Sequence, residues 1–129
     1  MSRRDQTLER VYGSKKEVLC DGFLSIRVKG RVDAVTAPKL EKEVTAALAS
    51  PRARCVLDLA QVDYMSLAGL RVLMMGAGAA AGIKGAFAVC SVQESVRSVM
   101  AMVGFLSLIE IQKDHGLAIE AIRKRLDGK

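Results

Sequence analysis

Between residues 23 and 29 the chain alternates. Leu24, Ile26 and Val28 are apolar, and they are out of phase with Phe23, Ser25, Arg27 and Lys29. A period of two marks a strand with one face buried. Residues 17–20 form a second short strand ahead of it, and Asp21-Gly22 between them is a strong two-residue hairpin signal. Gly30 breaks the alternation. From Thr36 the period becomes helical. Leu40, Val44, Ala47 and Leu48 recur at three and four residues, Thr36 is placed to cap, Pro38 suits a first turn, and Ser50-Pro51 stops the helix. Residues 55–59 read as a short buried strand. Ser66 then caps a second helix that runs to about Ala81 and is closed by Gly82-Ile83-Lys84-Gly85. Residues 86–90 make another strand, and Ser91 to Glu94 has the capping-box spacing for a third helix ending near Gly104. Residues 106–111 give a last strand. Residues 115–126 give a last helix, with Leu117, Ile119, Ile122 and Leu126 near one face.

Strands that alternate with helices become parallel neighbours through right-handed crossovers, and the opening hairpin adds one antiparallel edge. The predicted fold is a small α/β domain: a mixed, mostly parallel β-sheet with an N-terminal hairpin, packed by about four helices. It spans residues 16–126, and residues 1–15 are expected to be a mobile basic arm. A chain of 129 residues fits one such domain and is too short for two cores.

Composition changes this picture in two places. Aromatic residues make up 4% of the chain and Trp is absent, so the core must be aliphatic, with six Met among its candidates. The net charge of +6 belongs to the ends. Residues 1–16 hold five cations against two acids, and residues 123–129 hold four against one, whereas residues 17–122 hold 11 of each. A nucleic-acid-binding body would carry a basic stripe with aromatics for stacking, and neither is visible in the sequence. The basic ends read as solubilising tails. Cys20, Cys55 and Cys90 lie in apolar runs, are odd in number and follow no signal peptide, which reads as buried reduced thiols in the cytoplasm. The charge-free run of residues 72–83, which no other run exceeds, is too short to cross a bilayer and contains three glycines.

The chemistry-bearing patterns fail on context. Gly76-Ala77-Gly78-Ala79-Ala80-Ala81 fits the loose dinucleotide fingerprint. That motif needs a long helix after the glycine turn and an acid about 20 residues on, and this chain has neither. Small residues late in a helix account for it better. There is no P-loop. His115, the single histidine, stands at a helix start, where a cap or surface role is commoner than a base. The Cys and His spacing fits no metal site. No cofactor, metal or enzymatic activity is expected.

One stretch is more specific. Val56-Leu57-Asp58-Leu59-Ala60-Gln61-Val62-Asp63-Tyr64-Met65-Ser66-Leu67-Ala68-Gly69-Leu70-Arg71-Val72-Leu73 resembles the STAS domain of bacterial anti-sigma factor antagonists. Gly30-Arg31-Val32-Asp33-Ala34-Val35-Thr36-Ala37-Pro38-Lys39-Leu40 is similar to the family's earlier motif, and Val92 to Met100 followed by Val103-Gly104-Phe105 is similar to a later one. The resemblance covers about residues 17–125 and implies a non-enzymatic switch module that binds an anti-sigma factor, often a GHKL-type kinase. In such proteins a serine at the start of the second helix is phosphorylated by the partner. Here Gly69-Leu70 sets the register, and the acceptor position falls on Leu67, with Ser66 before it and Ala68 after it. The usual switch is therefore expected to be absent. Ser66 reads first as a helix cap and second as a substitute acceptor.

The leading function is a cytoplasmic protein-binding module that docks an anti-sigma factor or GHKL-type kinase regulator. The alternatives are a soluble accessory subunit of a lipid-type ABC transporter and a structural subunit of a signalling assembly. Neither nucleic-acid binding nor membrane insertion is expected, and self-association as a homodimer stays open. On a helix starting at Leu67, the core-facing line is expected to be Leu70, Leu73, Met74 and Ala77. The outward stripe is then Leu67, Arg71, Met75 and Gly78, with a single charge, and with Ser66 it forms the expected partner-binding site.

Overall fold

The protein is described by a computed structural model over residues 11–19 and 22–128. Within these residues five strands form one sheet in sequential order: β1 (Gly13–Val18), β2 (Phe23–Val32), β3 (Arg54–Met65), β4 (Ala86–Cys90) and β5 (Glu110–Gln112). The β1–β2 pair is antiparallel and the other three pairs are parallel. Among the described residues four α-helices connect and cover them: α1 (Ala37–Ala47), α2 (Leu67–Gly82), α3 (Glu94–Met102) and α4 (His115–Asp127). The α/β expectation is met in element order and sheet type. Strand β1 begins at Gly13, inside the segment expected as arm, and the hairpin closes with Leu19 N–H donating to Phe23 C=O at 2.8 Å. Gly22 takes φ 76°, while Cys20, Asp21 and residues 1–10 lie outside the described residues.

Because the strand order advances in one direction, each right-handed crossover falls on the same face. Helices α1, α2 and α3 therefore share one side of the sheet, over a core that includes Ile26, Val28, Leu40, Val44, Leu57, Leu59, Leu73 and Met100. Helix α4 follows the last strand and turns back onto the opposite face. There it buries Phe23, Val56, Ala88 and Cys90 under Ala118 and Ile122. Both ends of α4 are tied down. Ser25 Oγ lies 2.8 Å from His115 Nε2 at its start, and Arg54 bonds both carboxylate oxygens of Asp127 at its end, at 2.9 and 2.5 Å. Arg54 and Arg123 also lie over the Phe23 ring, 5.4 and 5.6 Å from its centroid. The buried Ser25 hydroxyl and His115 are thus a tether for α4.

Three local expectations change. Residues 106–111 are not one strand: a 3-10 turn occupies Phe105–Ser107, and pairing with β4 is confined to Glu110–Gln112. Gly104 at φ 71° ends α3, and Phe105 beyond it drops into the core, which uses up the first part of the segment. The Ser91 capping box does not form. Ser91 N–H donates to Gln112 C=O at 3.2 Å, extending the sheet, so α3 starts at Glu94, and Gln93 instead reaches Ala60 C=O at 2.8 Å. Thr36 stands at the cap position of α1, but its hydroxyl turns back to accept Asp33 N–H and donate to Arg31 C=O, each at 2.9 Å.

Cys55 and Cys90 are buried free thiols on opposite faces of the sheet. Burial pushes Cys55 up to about 12 and Cys90 up to about 11, because the thiolate would lose its hydration. Both are expected to resist a thiol reagent at pH 8 in the folded protein and to react in full in urea, as read by peptide mapping. Rapid native labelling at either position would contradict this packing.

A docking surface at the start of the second helix

The last pairing of β2 with β3, Val32 with Met65, brings two chain ends together. Beyond Val32 runs the β2–α1 loop, and beyond Met65 the chain enters α2. Ser66 N–H donates to Val32 C=O at 2.9 Å, and Ser66 C=O accepts Leu70 N–H at 3.1 Å. The loop holds its own shape. The Asp33 carboxylate accepts Val35 N–H at 3.0 Å and Thr36 N–H at 3.1 Å. The Thr36 N–H, helped by Val35 N–H and the Arg31 charge, holds the Asp33 carboxyl below its usual range.

Ser66 occupies the N-cap position with extended backbone, as expected, but its side chain makes no cap bond. The hydroxyl is buried without a partner. The backbone bond to Val32 fixes the residue as a continuation of the sheet, and its side chain faces inward. The first N–H groups of α2 are left without a side-chain cap, a terminus that favours negative charge in a neighbouring molecule.

Helix α2 is rotated from the expected setting. Its sheet-facing line is Gly69, Leu70, Val72, Leu73, Gly76 and Ala80. A Cβ on Gly69 would stand 2.6 Å from Met65 Cγ and 2.8 Å from Val32 Cγ1, and one on Gly76 would stand 2.9 Å from the Phe87 ring. These glycines let the helix descend onto the sheet, which is the structural role of the Gly76–Ala81 pattern. Met74, expected in the core, is therefore 42% exposed. Met75, expected outside, is half-buried against α1, with its sulfur 4.0 Å from Thr45 Oγ1. The outward stripe is Leu67, Arg71, Met74 and Gly78. Arg71 and Met75 also line a cleft of about 410 Å³ between α1 and α2, with Pro38, Glu41 and Ala68.

Leu67 is 63% exposed and Val35, in the adjoining loop, 79%. Tyr64 is also exposed, but its register with Arg31, whose guanidinium lies 4.1 Å from its ring centroid, places it on the opposite face of the sheet. Val35 in the adjoining loop and Met74 further along the outward stripe add exposed apolar side chains to Leu67, and sequence reasoning missed both. A signal existed for Val35, an apolar residue in a turn. Such a rim suits contact with another protein. It offers no acid–base pair or nucleophile, and among the described residues no three His, Cys, Asp or Glu side chains could share a metal ion.

The STAS domain model matches residues 18–118. BtrV of Bordetella bronchiseptica, which carries the name of an anti-sigma factor antagonist, is 34% identical over 106 residues, covering 82% of this chain and 91% of BtrV. The crystal structure of an anti-sigma factor antagonist from Mycobacterium paratuberculosis superposes with a TM-score of 0.78 at 27% identity, covering 88% of this chain and 96% of that one. The Bacillus cell-fate determinant SpoIIAA in its unphosphorylated form shares the fold, with a TM-score of 0.71 at 15% identity over 91% of this chain and 98% of that one, and it is also known in a phosphorylated form. With that match, that relative and a sheet of the same architecture, the chain belongs to the STAS domain family.

Proposed function

We propose that the protein is an anti-sigma factor antagonist, a non-enzymatic cytoplasmic module that docks an anti-sigma factor or GHKL-type kinase regulator through the start of α2. The names of its relatives support the class of activity. The observation that carries the site is Leu67, an exposed apolar side chain on the first residue of α2, with Val35 exposed in the adjoining loop and Met74 on the same outward stripe. Large apolar side chains held out by a rigid helix and a tied loop are the anchors that a protein partner desolvates.

The same geometry argues against control by phosphate at this position. Leu67 has no hydroxyl, and the Ser66 hydroxyl is buried. A kinase would have to turn Ser66 outward, against the backbone bond that ties it to Val32. The reading is a constitutive binder, whose engagement is set by the partner's state or abundance. Affinity capture from native lysate identifies the partner, and calorimetry with the purified partner tests the docking directly. Incubation with that partner and ATP is expected to add no phosphate by intact-mass analysis. One phosphate mapped to Ser66 would show that the acceptor has moved by one residue.

A further inference from the structure

We propose a second binding surface, on the opposite face of the sheet, for an extended acidic segment of a protein partner. Helix α4 covers that face only over the start of β2 and the strands β3 and β4. Beyond Ser25 no described helix covers the face. The outward side chains of β2 there are Arg27, Lys29 and Arg31, at successive alternate positions. Register adds Lys15 of β1 directly across from Arg27, and Gln61 of β3 beside Lys29. Lys15, Arg27, Lys29 and Gln61 line one trough of about 300 Å³. Lys15, Arg27 and Lys29 are exposed, and none forms an ion pair with another described residue. The acids that share the face by register are Glu17, at the margin opposite Ser25, and Asp58, which is buried and accepts Ala60 N–H. The row is thus predominantly basic, although residues 17–122 sum to zero charge.

The form of the row selects its occupant. Alternate residues of a strand are about 7 Å apart, and carboxylates at every second position of another extended chain repeat at the same interval. Among the described residues β1 is the edge strand of the sheet and lies beside the row, so its outer backbone groups face the direction from which such a chain would add. A second copy of β1 is disfavoured, because Lys15 and Lys16 would meet their own kind. Bases of a single-stranded nucleic acid would find little to stack on. One side of the Tyr64 ring is taken by Arg31, and Phe23 lies under α4.

The probe is a fluorescein-labelled decapeptide of alternating Glu and Thr, titrated against the full chain by anisotropy at low and physiological salt. Binding is expected, weakened by salt. The Arg27→Glu/Lys29→Glu variant is expected to weaken it by about tenfold or more. Lys39→Glu/Lys42→Glu changes the net charge equally on α1 and is expected to leave it unaltered. Circular dichroism checks folding, and Arg27→Gln/Lys29→Gln replaces the charge reversal if that variant fails to fold. Equal binding by the charge-reversed protein, or by a Gln-Thr decapeptide, overturns the proposal. Tighter binding of oligothymidylate or of phosphatidylserine vesicles to the same residues overturns it in favour of a nucleic acid or a membrane. The probe contains no transcriptional regulator, so its outcome is independent of the function proposed above.

Discussion

Gly85→Ala is expected to destabilise the protein by about 3 kcal/mol or more, measured as a loss of urea midpoint at constant slope. Gly85 sits in the turn that delivers the chain from α2 to β4. A Cβ there would stand 2.1 Å from the carbonyl oxygen of Ala53 and 3.0 Å from its nitrogen. Flexible side chains can yield by a few tenths of an ångström, but this neighbour is backbone, and it is held in place. Ala53 C=O accepts Ala86 N–H at 3.0 Å, Gly85 N–H donates to Ala80 C=O at 2.9 Å, and Arg52 N–H donates to Ile83 C=O at 2.9 Å. Making room for one methyl group therefore means breaking the start of the β3–β4 register. Gly78→Ala is the control. That position lies in α2 with open space around it, and the same substitution there is expected to stabilise by about 0.5–1 kcal/mol. Equal effects at the two sites would remove close backbone approach as the explanation.

Leu67→Asp is expected to weaken binding of the anti-sigma or kinase partner by about 2 kcal/mol, roughly 30-fold in Kd, while the fold stays intact. The side chain is mostly in solvent, so its loss takes little from the core. The new carboxylate would lie on the first residue of a helix that has no side-chain cap, where negative charge is favourable. A partner that buries Leu67 against its own apolar surface would meet an unpaired charge instead. Met74→Glu is expected to act in the same direction with smaller effect. Met75→Glu is not equivalent. That side chain packs against the main core from the α1 side, and charging it confounds binding with folding. Unchanged affinity for folded Leu67→Asp, measured by calorimetry, would place the interface elsewhere.

The sequence by itself determined what depends on neighbours along the chain. The period-two stretch at residues 23–29 became β2, the change to helical spacing after Thr36 became α1, and Ser66 marks the start of α2. These follow from local geometry: alternation, a proline in a first turn, and residues that end a helix. The α4 boundary was legible for the same reason, and Asp114 caps it by accepting Leu117 N–H at 2.9 Å.

Only the tertiary structure decided which way each face turned. Met74 and Met75 differ by one position and are chemically identical, so periodicity could not rank them. The ranking came from Gly69 and Gly76, which look outward on a size scale but lie inward because Met65, Val32 and Phe87 leave no space for a Cβ. Ser66, Thr36 and Ser91 all looked like caps. Each is spent on a longer-range arrangement: Ser66 N–H on Val32, the Thr36 hydroxyl on the β2–α1 loop, and Ser91 N–H on Gln112. The basic row was hidden in a different way. A charge sum over residues weighs all directions equally, whereas β2 sends Arg27, Lys29 and Arg31 to one side and the hairpin adds Lys15 to them. Among the described elements, the cover on that side depends on where α4 lands after the last strand, and α4, anchored at Ser25 and Arg54, does not reach the far end of β2 and β3. Local propensity shapes an element, but the packing of the others against it decides which of its faces meets solvent.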